Sequence, residues 1–244
     1  MIISTPLPLQ LANGVDGFWY LANQFPTGLT AVLPGKMFGT PAAQAISANQ
    51  PNNTLNAIGG KSALKFNGST SALSAASSSR NSNIFGTGGT LAFVVKVIGM
   101  GGASFGRLFD KTILQLYVSN LSGSTCKLSF QQGTSGVPGT WAFTNNLITL
   151  GQPFIFVVTY NSSTLATAPK MYINSTTEVA VSVTSAPTGS ASSDAGNNLV
   201  LGNRAALDRG FDGDIAEIFA VKKILNDGQI NQLIQYFKSN YGIA

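Results

Sequence analysis

Histidine is absent from this 244-residue chain, and cysteine occurs once, at Cys126. Without histidine no Ser–His or Cys–His couple can form, which removes the commonest nucleophilic chemistry. A single cysteine makes no intrachain disulfide, and Cys126, inside CKLSF, reads as a small packed strand residue. Charge is scarce as well, at 9% of residues. No acid lies between Asp16 and Asp110, whereas Lys36, Lys61, Lys65, Arg80, Lys96 and Arg107 do. These bases stand singly and not on one element, so the net charge of +5 does not point to a nucleic-acid partner. No apolar run reaches the length of a membrane span, and no membrane partner is expected. There is no Cys/His cluster at metal-ligand spacing, no D-x-D-x-D-G loop and no glycine-rich phosphate loop, so no cofactor and no metal is expected. The opening MIISTPLPLQLANG lacks the basic start and long apolar stretch of a signal peptide, which suggests synthesis in a cytoplasm.

What remains is Gly, Ser, Thr, Asn and Ala around an apolar fraction of 44%, enough for a core. Short apolar runs separated by turn residues predict an all-β chain. DGFWYLANQF (16–25) predicts a strand with Phe18 and Tyr20 on one face and Trp19 on the other. TLAFVVKVI (90–98) and FIFVVTY (154–160) are apolar on both parities, as central strands are. RLFD, ILQLYVS, KLSFQ, WAF, KMYIN and EVAVSV add strands, the last two as a continuing meander. Residues 71–83 and 184–198 are small and polar and are expected as surface connections. Residues 1–12, with Pro6 and Pro8, are expected as an extended N-terminal arm, and residues 13–244 as one domain. The Asn-x-Ser/Thr triplets at Asn52, Asn67, Asn161 and Asn174 are chance matches in so Asn/Ser/Thr-rich a chain.

The C-terminal stretch 199–243 organises the rest. LVLG and FDGDIAEIFAV predict two strands; in the second, Phe211, Ile215 and Phe219 share one parity, and Ile218 and Ala220 the other. Asn226 and Gln229 have the spacing of a capping box. Ile230, Leu233, Ile234 and Phe237 then follow on one helical stripe, with Lys238 in the last turn and Gly242 beyond. The pattern Phe211-x-Gly213-x-Ile215-x-Glu217-Ile218, followed by a short helix ending in Tyr241-Gly242-Ile243, resembles the close of the laminin-G-like, concanavalin A-like jelly-roll family. ALKFNGSTSAL (63–73) and the pair FIFVVTY and KMYINST (154–176) are similar to the family's early hairpin and to one of its strand pairs. The resemblance covers roughly residues 13–243 and implies a concanavalin A-like (laminin-G-like) jelly-roll β-sandwich with a short C-terminal helix.

That fold hosts lectins, hydrolases and structural modules, so function must come from sites. Asp212-x-Asp214-x-x-Glu217 is similar to the Glu-x-Asp-x-x-Glu strand of laminarinase-like glycoside hydrolases, where two carboxyl groups about 5 Å apart would cleave with retention. Its first position is Asp, and the jelly-roll pattern already accounts for its neighbours, so no catalytic residue is assigned. Asp110, Asp194 and Asp208 are the loop carboxylates available to calcium, with turn or capping roles as their ordinary reading. Trp141 and Tyr117 are the candidate sugar platforms, against core packing as the usual fate of strand aromatics. The favoured expectation is a non-enzymatic bacteriophage virion protein, a capsid decoration or a head or tail fibre module. Its partners would be other virion proteins, a cell-surface glycan and further copies of itself, most simply as a trimer. This rests on similarity to the jelly rolls of tailed-phage structural proteins. A carbohydrate-binding lectin-like module of a cellular protein is the alternative, and a glycoside hydrolase the third.

Overall fold

The computed structural model describes residues 7–12, 14–24, 27–29, 32–33 and 41–244. Its strands in chain order begin with β1 (Gly17–Leu21), β2 (Gly28–Leu29), β3 (Val32–Leu33), β4 (Ala42–Ala43), β5 (Asn52–Ile58) and β6 (Lys61–Asn67). They continue with β7 (Leu73–Ala75), β8 (Gly89–Gly99), β9 (Arg107–Asp110), β10 (Leu114–Ser122), β11 (Thr125–Gln132) and β12 (Gly139–Phe143). The last six are β13 (Ile148–Thr149), β14 (Pro153–Tyr160), β15 (Lys170–Ile173), β16 (Val181–Ser185), β17 (Leu199–Leu201) and β18 (Asp212–Val221). Two α-helices, α1 (Leu7–Ala12) and α2 (Asp227–Tyr241), flank them.

The strands form two antiparallel sheets, giving the jelly-roll β-sandwich with a C-terminal helix that the sequence implies. One, of eight strands among the described residues, runs β15-β14-β8-β18-β6-β5-β2, with β1 also on β18. The other, of ten, runs β16-β12-β11-β10-β9-β17-β7-β4-β3, with β13 on β11. Phe18, Phe66, Phe93, Phe109, Phe130, Trp141, Phe156 and their neighbours fill the space between them. The predicted two-sided strands have a second apolar face because a second core exists. On the outside of the eight-stranded sheet, Trp19, Val94, Ile155, Val157 and Phe219 pack against Leu9 and Leu11 of α1 and Ile230, Leu233, Ile234 and Phe237 of α2.

Helix α2 begins as the sequence predicts. Asn226 accepts from the Gln229 N–H while the Gln229 side chain accepts from the Asn226 N–H. It ends at Gly242, whose φ of 61° is left-handed. Each large apolar side chain it buries contributes roughly 1.5–3 kcal/mol. Its C-terminal end sits on the β5–β6 turn, where Gly59 has a φ of 54° and a Cβ would fall 1.8 Å from the Tyr241 carbonyl oxygen. Only glycine fits there.

The structure corrects four expectations. Residues 1–6 of the expected arm lie outside the described residues, and Leu7–Ala12 is a helix packed against α2, not an extended strand. Leu9, Leu11 and Ala12 gain more by apolar burial than Pro8 costs at the start of a helix, where its missing N–H is an orphan anyway. Residues 71–83 are no surface connection. Leu73 and Ala75 are core, and Asn81 and Ser82 are buried through hydrogen bonds to distant loops. β16 does not continue from β15 as a meander; it crosses to pair with β12 in the other sheet. Finally, Phe219 leaves the face it was to share with Phe211 and Ile215. The register slips between Ile215 and Glu217, a β-bulge at Ala216, so Phe211 and Ile215 face the main core and Phe219 the second one.

Candidate functional site

The bulge at Ala216 also decides the fate of the three carboxylates on β18. Asp214 pairs with Lys96 at 2.7 Å. Glu217 is 1% exposed, sealed beneath α2. Its Oε1 accepts from Trp19 Nε1 at 2.7 Å and its Oε2 from the Tyr241 hydroxyl at 2.8 Å, with Tyr236 a third donor. Burial raises its pKa to about 7 against the pull of those three donors. Glu217 thus ties helix to sheet and faces no cleft. The hydrolase reading loses its third carboxylate, and the neighbouring pattern is structural.

The calcium candidates are scattered. Asp194 meets Lys111, Asp208 pairs with Arg204 at the surface, and Asp110 lies in β9. Among the described residues, no three His, Cys, Asp or Glu side chains come together to hold a metal. Of the two candidate platforms, Trp141 is core, 1% exposed, with its ring 5.2 Å from that of Tyr160. Tyr117 is different.

Tyr117 projects from β10 onto the outer face of the ten-stranded sheet, the face that no helix covers among the described residues. Two rings meet there: Phe105, 46% exposed, lies 5.9 Å from Tyr117 at 70°. The guanidinium of Arg107 sits 4.6 Å from the centre of the Tyr117 ring, a cation–π contact from the paired position on β9. Arg107 also donates to Gln115 and approaches Asp110 Oδ2 at 3.7 Å. Burial raises the pKa of Asp110, while the Thr112 N–H and Arg107 draw it down. The row Asp110, Arg107, Gln115 and Tyr117 crosses the middle of the sheet.

A groove lies on either side of that row. One, of about 390 Å³, is lined by Phe105, Tyr117, Ser119, Asn120, Lys127, Ser129, Ala142 and Thr184, with a lysine and no carboxylate among them. The other, of about 420 Å³, holds Asp110, Arg204, Gln44, Ser74, Asn197 and Asn198. A wider groove of about 730 Å³ opens among the loops at Asn83, Ser162 and Ser190 but contains no aromatic ring.

Sequence reasoning did not single out Phe105. Its loop is built by glycines: Gly102 donates to the Gly210 carbonyl at 2.8 Å, and Gly106 to that of Met100 at 2.8 Å. Between them Ala103 and Ser104 take φ values of 49° and 61°, two consecutive non-glycine residues in the left-handed region. Such backbone costs on the order of 1 kcal/mol or more per residue and gathers at ligand clamps. Here it holds an apolar ring out of the core and over a polar groove. The one signal in the sequence was GGASFG itself, an aromatic residue in a glycine-rich turn.

No protein-family model and no curated protein sequence matches the chain. Solved structures do. The binding domain of Paraclostridial Mosquitocidal Protein 1 aligns over 93% of this chain and 53% of its own, at 12% identity and a TM-score of 0.59. A Trypanosoma rangeli sialidase, solved with the inhibitor DANA, aligns over 91% of this chain and 32% of its own, at 14% identity and a TM-score of 0.59. Domain 4 of an extracellular arabinanase from Geobacillus stearothermophilus, solved with arabinotriose, aligns over 91% of this chain and all of its own, at 17% identity and a TM-score of 0.50. The chain therefore spans about half of the toxin binding domain and a third of the sialidase. At these identities the likeness is one of fold.

Proposed function

We propose that the protein is a carbohydrate-binding, lectin-like module whose site is the open face of the ten-stranded sheet. The observation that carries this is the Phe105–Tyr117 pair: two rings on an uncovered sheet face, set among hydroxyls, amides and one lysine. Aromatic faces stack against the C–H faces of sugars, while Ser, Asn and Lys satisfy their hydroxyls, the usual division of labour in a ligand site. The arabinotriose-bound arabinanase domain, matched over its full length, supports the same reading by its fold and its ligand. Glu217, enclosed by Trp19, Tyr236 and Tyr241, argues against hydrolysis. Screening the free protein on a glycan array tests the proposal. Binding to a defined set of glycans, lost in Tyr117→Ala, is expected. No bound glycan, or unchanged binding by the variant, would overturn it.

Two finer parts of the reading rest on the sequence. One is attachment within a phage particle, where the module would bind virion proteins and a cell-surface glycan. A mass-spectrometric inventory of purified particles tests it, and absence of the chain from them refutes it. The other is a homo-oligomer such as a trimer, built on a chain with few charges to desolvate. A light-scattering mass of one chain at micromolar concentration refutes a self-sufficient oligomer.

A further inference from the structure

Close to Lys222, where the chain leaves β18 for α2, three loops meet around one lysine. Lys111, between β9 and β10, is 0% exposed. Its Nζ donates to the Asn81 main-chain oxygen at 2.8 Å, to Asn81 Oδ1 at 3.3 Å and to Ser82 Oγ at 3.3 Å, and lies 3.2 Å from Asp194 Oδ1. Asn81 is 0% exposed and Asp194 4%. An amine, a carboxamide and a carboxylate thus share a site closed to water.

The carboxamide is held rigidly. Asn81 Nδ2 donates to the Ala76 carbonyl at 2.8 Å, and Oδ1 accepts from the Ser78 N–H at 3.0 Å. Asp194 is fixed as well, its Oδ1 accepting the Asn83 N–H at 2.7 Å while its own N–H donates to Asn83 Oδ1 at 3.0 Å. The electrophilic Cγ of Asn81 lies one bond beyond the oxygen that Nζ already touches. Groups held about 3–3.5 Å apart with little freedom react as if at very high concentration.

We propose that Lys111 and Asn81 join in an intramolecular isopeptide bond, with Asp194 carrying the proton. The lysine ammonium gives a proton to Asp194, which leaves Nζ with a free electron pair. Nζ attacks Cγ of Asn81, and the Ser78 N–H stabilises the negative charge that develops on Oδ1. The C–Nδ2 bond then breaks, the departing nitrogen takes protons from Nζ and Asp194, and ammonium leaves. Asp194 returns to a carboxylate. Nothing is oxidised or reduced and no co-reactant enters. Burial favours the first step, since it lowers the lysine pKa from its ordinary value while Asp194 pulls it back. The product also removes a buried charge and fastens the 76–83 loop to the β9–β10 turn.

The test is the intact mass of the purified full chain, followed by a tryptic map. The expected mass is lower than that of the sequence by one ammonia. Cleavage after Lys111 should be lost, and a branched peptide should join residues 81–96 to 108–127. A full sequence mass overturns the proposal. So does an ammonia loss with only linear peptides, which would mark cyclisation of Asn81 on itself. Asp194→Asn should restore the full mass in a chain that is folded by circular dichroism. A bond that still forms in that variant would overturn the role of Asp194. If the variant does not fold, the mass and map of the unaltered chain decide alone.

Discussion

The outer faces of the two sheets are opposite in kind. On the eight-stranded sheet, β8, β14, β18 and β1 present Val94, Ile155, Val157, Phe219 and Trp19, and two helices close over them. On the ten-stranded sheet, β9, β10 and β11 present Arg107, Asp110, Gln115, Tyr117, Ser119, Lys127 and Ser129, and among the described residues no helix covers them. Both faces hold aromatic rings near an ionisable group. On the closed face that group is the Glu217 carboxyl, and indole and phenol groups are spent as its hydrogen-bond donors. On the open face the charge is Arg107, which lies along the Tyr117 ring and leaves the rest of that ring and Phe105 toward solvent. Aromatic residues alone therefore do not mark a site. What marks it is whether their faces are left to a ligand.

Breaking the closed face should have the largest effect. Phe237→Ala removes a fully buried ring from α2 and should cost about 3–5 kcal/mol in urea unfolding, without altering the glycan preference of the chain that remains folded. The next largest effect is the pH dependence that Glu217 brings to that face. The pKa of Glu217 lies at about 7 in the folded chain against 4.5 for the free side chain, so the folded state holds the extra proton between those values. Its contribution to stability is therefore full below pH 4.5 and falls as pH rises toward 7. The loss should reach about 3 kcal/mol, and Glu217→Gln should flatten it in unfolding curves taken at several pH values. A contribution that rises with pH over this range would contradict the sealed carboxyl.

On the open face the order of effects reverses, with binding falling and stability hardly moving. Tyr117→Ala should cost about 2 kcal/mol of glycan binding, some thirty-fold, in calorimetric titration with a glycan found by array. Its stability should change by less than about 1 kcal/mol. Phe105→Ser should have the smallest effect, about 1 kcal/mol of binding, and unfolding unchanged or slightly improved, because the ring is half in water already. Equal losses of stability from Tyr117→Ala and Phe237→Ala would erase the distinction between the faces.

Local signals in the sequence survived folding. The Asn226–Gln229 cap, the stripe on α2, the opposed faces of Phe18 and Trp19, and the two-sided strands all depend on neighbours a few residues away. Distant partners decided the rest. WAF offers too few residues to assign a parity, and Trp141 turned inward because its register on β11 sets it opposite the core residue Phe130. The Ser/Asn run at 71–83 looked solvated because nothing in it announces that Lys111 and Asp194 would supply its hydrogen bonds. Of the site, Tyr117 was legible as a strand aromatic. Phe105 was not, since it is held by a backbone conformation and not by a periodicity.

The one-residue slip at Ala216 makes β18 two half-strands out of phase. The first half is zipped to β6 through Asp212–Ile215, and the second to β1 through Glu217–Val221. The bulge is thus one place where the chain can change length without changing faces. Deleting Ala216 would leave Ile215 and Glu217 as neighbours opposite Val95 and Val94, a regular ladder. Glu217 and Phe219 would still meet α2, and Ile218 and Ala220 would still fill the sandwich. Ala216 is the residue that converts a sequence of the wrong parity into a strand with the right one.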